Sequence, residues 1–125
     1  MKRLIVLLGI LALVLAACGG NGDSEGGDDS SSAGDVAAGE EIFLGTCAAC
    51  HGTDAHGLEG LGKDLHANAF VIGNSDGEMI AFLQVGRGPD DPANDTGVLM
   101  PPRGGNPSLT DEDLQDVVAY LRTLE

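Results

Sequence analysis

The sequence predicts an all-α domain. Two stretches carry a helical signature with a cap, and no stretch carries that of a strand. Near the C-terminus Thr110 stands before Asp111-Glu112-Asp113, and Leu114, Val117, Val118 and Leu121 then recur on one helical face, with Tyr120 beside it. Earlier, Ser75-Asp76-Gly77-Glu78 has the spacing of a capping box, and Met79, Ile80, Phe82 and Leu83 follow as an apolar stripe. No run alternates apolar and polar residues as a half-buried strand would, no segment repeats, and there is no phosphate-binding glycine loop.

The chain has 125 residues, enough for one domain. Residues 1–17 read as a targeting segment rather than as fold. Lys2 and Arg3 precede an apolar stretch from Leu4 to Leu15, which is short for a membrane span. Leu15-Ala16-Ala17-Cys18 then resembles the end of a bacterial lipoprotein signal. That resemblance implies that Cys18 is diacylated on sulfur and becomes the mature N-terminus. An ordinary signal peptide would instead leave Cys18 as an exposed thiol outside the cytoplasm, a reactive liability. From the lipidated Cys18 to Gly34 the chain is rich in Gly, Ser and Asp and has almost nothing to bury. As a flexible coil it spans roughly 20–25 Å, and its acids extend it. It reads either as a tether that lets a domain move over a membrane surface or as a spacer of no selected length.

The domain is expected over 35–125. Val36, Gly39, Ile42 and Phe43 fall at helical spacing after Asp35, and Gly45 is expected to loosen the end of that helix. It runs into Cys47-Ala48-Ala49-Cys50-His51. Two thiols three positions apart, followed at once by an imidazole, form the attachment signature of c-type haem. Each thiol can add across one vinyl group, and the imidazole then lies under the iron as proximal ligand. A thioredoxin-like pair would need a βαβ context that is missing. A zinc site could draw on Cys47, Cys50 and two of His51, His56 and His66, but these histidines lack the usual second-pair spacing. Haem c, one group covalently attached, is the reading that the motif favours. It would also supply the large planar apolar body that a chain with 3% aromatic residues and no Trp lacks.

After His51 come Gly52, Gly57, Gly60 and Gly62, so Gly52 to Asn74 reads as loop around the haem, with a short helical turn near Leu65. The capped helix after Ser75 ends near Gly86. Residues 88–97 are turn-formers and form a surface loop. Met100-Pro101-Pro102 follows. The last helix is capped by Thr110, its first-turn acids suit the helix dipole, and Leu109 and Leu114 are placed as a hydrophobic staple.

With these pieces assembled, residues 35 to 124 resemble a small bacterial class I cytochrome c. The resemblance rests on Gly39 and Phe43 before the Cys47-to-His51 motif, on Met100-Pro101-Pro102 about fifty residues later, on Leu109-Thr-Asp-Glu-Asp-Leu114, and on Asp116-Val-Val-Ala-Tyr120-Leu121. It implies the class I fold, in which the first and last helices cross and Gly-rich loops wrap one haem. The crossing would be built from Gly39, Phe43 and Tyr120, which also read simply as core. It implies His51 and Met100 as axial ligands of the iron. His56 and His66 are alternative distal ligands, and Met79 sits in an apolar stripe and reads as core. Members often carry Gly-Pro-x-Leu where this chain has Gly62-Lys63-Asp64-Leu65. A carbonyl at Lys63 can still accept a hydrogen bond from the imidazole, without the rigidity of Pro. Arg87 and Arg103 are candidates to pair with haem propionates or are simply solvated charges.

The resemblance implies an electron carrier rather than an enzyme, because a histidine and a thioether together fill both axial positions and soft sulfur favours the ferrous state. The expected function is a membrane-tethered shuttle between redox complexes of a respiratory or photosynthetic chain. The alternative is a haem c subunit or domain of a multi-component oxidoreductase, a dehydrogenase or nitrogen-oxide reductase. Both place the protein on the outer face of the cytoplasmic membrane or in the periplasm. No nucleic-acid partner is expected; the net charge of −14 reads either as suited to redox partners, donor and acceptor, with a basic docking surface, or as mere solubility or adaptation to a salt-rich habitat.

Overall fold

Residues 33–125 are described by a computed structural model. The leader over 1–17, Cys18 and all but the end of the tether lie outside the described residues. Gly34, read as tether, already belongs to the packed domain. A Cβ there would stand 2.4 Å from the carbonyl oxygen of Gln115.

The described residues hold helices and no strand longer than an isolated bridge. Helix α1 is Val36–Ile42. The Asp35 carboxylate caps it, accepting from Ala37 and Ala38 N–H at 2.8 and 3.1 Å. The helix does not end at Gly45. It widens into a π-helical turn over Phe43–Cys47 and resumes as α2, Ala48–His51, so the attachment motif is itself helical. Gly45 lies on the solvent side of that turn, where a Cβ would meet nothing. The wider turn absorbs the irregularity that a break would otherwise have accommodated, and such turns gather at functional sites.

The loop after His51 is longer than expected before a helix returns. Leu65 is not helical; its N–H donates to Ala55 O at 2.9 Å. The short helix is α3, Ala69–Gly73, set by Asn68 as its cap. Helix α4, Asp76–Val85, starts at the expected capping box and stops at Gly86, whose φ of +73° suits glycine. A 3₁₀ turn over Pro102–Gly105 follows, then α5, Asp111–Arg122, with a second capping box between Thr110 and Asp113.

Helices α1 and α5 cross in contact. A Cβ on Gly39 would lie 1.9 Å from the Asp116 carbonyl oxygen, so only glycine admits this approach. The rings of Phe43 and Tyr120 flank it with centroids 5.2 Å apart. Asp35 N–H donates to the Asp116 carboxylate at 2.7 Å across the same junction. The core comprises Phe43, Ala48, Ala55, Val71, Met79, Leu83, Leu114, Val117, Val118 and Leu121. Arg122 closes the far end, donating to the Val71 and Asn74 carbonyls and to Asp76 and Glu125.

Candidate functional site

A cleft of about 1220 Å³, its solvent-open part included, lies between α2, α4, α5 and the segment that carries Met100. Its walls are mostly apolar, with Phe43, Val71, Leu83, Leu114 and Val117 at the back. Cys47, Cys50, His51 and Met100 all face it. The structure thus brings Cys47, Cys50, His51 and Met100 together at one cleft.

His51 is oriented by its backbone surroundings. Its Nδ1 lies 2.8 Å from the Lys63 carbonyl oxygen. A carbonyl can only accept, so Nδ1 carries the proton and Nε2 keeps its lone pair. The loop reaches His51 because Gly62 rests on the Cys50 carbonyl, where a Cβ would stand 2.3 Å from the oxygen. Gly57 N–H donates to His51 O at 2.7 Å and closes α2.

Met100 is half-buried on the strap after the 88–97 loop. Its N–H donates to Arg87 O at 2.9 Å and its carbonyl accepts from Arg87 N–H at 2.8 Å. Gly86 makes room, since a Cβ there would strike the Met100 carbonyl at 2.1 Å. Beyond Pro101-Pro102, Gly104 packs on Thr46, and its missing Cβ would lie 3.8 Å from Cys47 Sγ. Met79 also borders the cleft, but it is 2% exposed and embedded in α4 and the core.

The competing readings of the motif fail on geometry. Burial, and then the neighbouring Cys50, pushes the Cys47 thiol up to about 11, the reverse of the depressed value that a redox-active Cys-x-x-Cys pair needs. Among the described residues no group of three or more His, Cys, Asp or Glu could hold a metal ion. His56 and His66 turn away from the cleft and stack on each other, centroids 4.1 Å apart. His56 pairs with Asp64 at 3.1 Å, and His66 Nε2 donates to Asp54 O at 2.8 Å. Neither lines the cleft.

Both candidate arginines line the cleft. Arg103 donates to Leu109 O at 2.8 Å and to Asp111 at 2.7 Å. Arg87 lies at the cleft wall with its guanidinium over Phe70 and Phe82, 4.6 and 4.8 Å from the ring centroids. Sequence reading missed Asn94, which folds the 88–97 loop around its amide. Its Nδ2 donates to Gly88 and Val98 carbonyls, and its Oδ1 accepts from Thr96 and Gly97. An Asn among turn-formers was the available signal.

The cytochrome c family model matches residues 36–125. The chain belongs to the cytochrome c family. Cytochrome c-554(548) of Halomonas halodenitrificans is 34% identical over 93 residues, 74% of this chain and 100% of that protein. Cytochrome c-555 of Chlorobaculum thiosulfatiphilum is 36% identical over 87 residues, 70% of this chain and 93% of the relative. The Cbb3-type cytochrome c oxidase subunit CcoP of Rhodobacter capsulatus is 31% identical over 88 residues, 70% of this chain and 28% of that subunit.

Membership makes this cytochrome an electron carrier with covalently bound haem c, of a family that generally works outside the cytoplasm. The residues fit the group. An apolar cleft presents two thiols spaced Cys-x-x-Cys and an imidazole whose Nδ1 is engaged by a carbonyl, which leaves Nε2 as the nitrogen free to bind iron. When bound, haem c supplies a one-electron couple in an apolar surrounding.

Proposed function

We propose that this cytochrome is a lipid-anchored mono-haem shuttle that passes single electrons between redox complexes outside the cytoplasm. One cleft presents both a tautomer-fixed imidazole and a thioether on a backbone-bonded strap, and this observation carries the reading. Cys47 and Cys50 hold the haem covalently, His51 is the proximal ligand and Met100 the distal one. With a nitrogen and a sulfur ligand both drawn from the chain, bound haem would offer no open site to oxygen or peroxide, and few atoms would move with the electron.

The anchor is Cys18, and the segment from Cys18 to about Ala33 is the tether. Two acyl chains suffice for stable membrane attachment. The docking surface is acidic. Sixteen Asp/Glu and four Lys/Arg lie within residues 33–125, and Lys63, Arg87, Arg103 and Arg122 are each in an ion pair. The partners are therefore redox proteins with a basic face, met faster at low salt.

A second reading, a haem c subunit of a larger oxidoreductase, is favoured by the likeness to a segment of CcoP. Mild-detergent extraction of the native membrane separates the two. The shuttle migrates alone, whereas a subunit co-migrates with an oxidase or dehydrogenase. Cys18→Ser should move the cytochrome from the membrane to the soluble fraction or leave it unprocessed, with haem per molecule unchanged. Equal membrane association of mutant and wild type would remove the anchor from the proposal.

A further inference from the structure

Lys63 meets two parts of the cleft at once. Its carbonyl takes the Nδ1–H of His51 at 2.8 Å. Its ammonium reaches the loop before Met100, lying 3.0 Å from Asp95 Oδ2 and 3.4 Å from the Ala93 carbonyl. The Ala93 carbonyl is shared, because the Arg87 guanidinium donates to it at 3.3 Å. Arg87 is held in turn. It stacks on Phe70 and Phe82, and its backbone is bonded in both directions to Met100. A polar path therefore runs unbroken from His51 through Lys63, Ala93 and Arg87 to Met100.

We propose that Lys63 is a positioning residue for both axial ligands, orienting His51 through its carbonyl and holding the Met100 strap closed through its ammonium. The inference rests on the assignment of His51 and Met100 as ligands. A thioether is a neutral, soft donor, and its place depends on the backbone that presents it. The 88–98 segment is folded by Asn94 into one unit, so a tie at Ala93 and Asp95 restrains the whole unit and Met100 with it. A proline at this position would offer a carbonyl but no cation. In this chain the side chain adds a second tie that Pro could not make. Lys63 is 40% exposed and Asp95 71%, so the ion pair alone is a modest interaction. Its effect lies in where it acts, at the one loop whose movement would release the distal ligand.

The test uses the full-length ferric holoprotein and titrates imidazole, which competes with the thioether, while the near-infrared sulfur-to-iron band is followed. Lys63→Met keeps the carbonyl and the aliphatic stem and removes the charge. It should bind imidazole roughly two- to fivefold more tightly than wild type. Amide hydrogen exchange across 88–98 should quicken, while the His51 Nδ1–H stays as protected as in wild type. Lys63→Arg should restore wild-type behaviour, and Asp95→Asn should shift in the same direction as Lys63→Met. Wild-type imidazole affinity together with unchanged loop exchange in Lys63→Met overturns the proposal. If Lys63→Met fails to fold, wild-type affinity in Asp95→Asn overturns it instead. A wild-type protein without the sulfur band overturns the Met100 assignment itself, a separate and distinguishable outcome.

Discussion

The imidazole of His51 is tied to the backbone of Lys63, Nδ1–H to carbonyl oxygen, at 2.8 Å. The bond settles which nitrogen faces the cleft. It exists only because Gly62 lies flat against the Cys50 carbonyl, where a Cβ would stand 2.3 Å from oxygen and 2.6 Å from carbon. Gly62→Ala should push the loop outward and cost about 1–3 kcal/mol of stability, as overpacking does. Exchange of the His51 Nδ1–H with solvent should quicken in parallel. A variant with full stability and an unchanged exchange rate would show that the loop yields without moving the carbonyl.

The resemblance at Gly62-Lys63-Asp64-Leu65 anticipated this bond, and the structure forms it. Residue types pointed to the proposed ligands, because thiol, imidazole and thioether chemistry belongs to side chains. The helices after Ser75 and Thr110 were legible from local caps, and both boxes are present. The π-helical turn over Phe43–Cys47 was not legible, since a Gly at 45 reads as a break and only tertiary packing holds the helix together there. The helix expected near Leu65 lies at Ala69–Gly73 because Asn68, rather than an apolar stripe, starts it. Arg103 could be named as a cation but not assigned its partners, which come from the approach of α5.

His56 and Asp64 should make stability depend on pH. His56 is held above the ordinary imidazole range first by its hydrogen bond to Asp64, and Asp64 is held below the ordinary carboxylate range first by its bond to His56. The groups facing His56 are Asp54, Asp64 and the stacked ring of His66. A raised imidazole contributes fully below its unfolded value near 6.5 and loses that contribution as pH rises through its folded value. A lowered carboxylate contributes above its unfolded value, near 3.9, and loses its share as pH falls through the folded one. The pair therefore helps most from about pH 4 to about pH 6.5 and fades above. Denaturant midpoints of wild type and His56→Gln should differ most near pH 5.5 and converge toward about pH 8. A gap that stays constant across that range would exclude the coupling.

Folding should require haem. The core of the described domain is ten buried apolar residues around a cleft of about 1220 Å³, its solvent-open part included. Leu83, Leu114, Val117 and Leu121 border that cleft. A domain of this size buries little apolar area unaided. Replacing Cys47 and Cys50 together by Ala removes the covalent links and with them the group that the walls pack against. Helical circular dichroism should fall well below that of wild type. A cooperative thermal transition matching wild type would mean that the helices sustain themselves.

Met100 and Met79 border the same cleft, and their surroundings predict opposite phenotypes. Met79 is 2% exposed within α4 and packed in the core. Met79→Ala should cost about 2–5 kcal/mol, the range for deleting a buried methionine side chain, and leave the visible spectrum alone. Met100 is only half-buried, lies on a strap bonded on both sides to Arg87, and is followed by two prolines that stiffen its backbone. The strap supplies position and the sulfur supplies the donor. Met100→Ala keeps the first and removes the second. It should abolish the near-infrared sulfur-to-iron band of the oxidised protein, lower the potential and admit carbon monoxide in the reduced protein. The thioether links at Cys47 and Cys50 should survive, because they form without the distal ligand. His56 and His66 face away from the cleft and bond to Asp64 and Asp54, so neither should move in as a substitute. A six-coordinate spectrum that persists in Met100→Ala and disappears only when His56 or His66 is also replaced would overturn this assignment. So would an exchange of phenotypes between the two methionine variants.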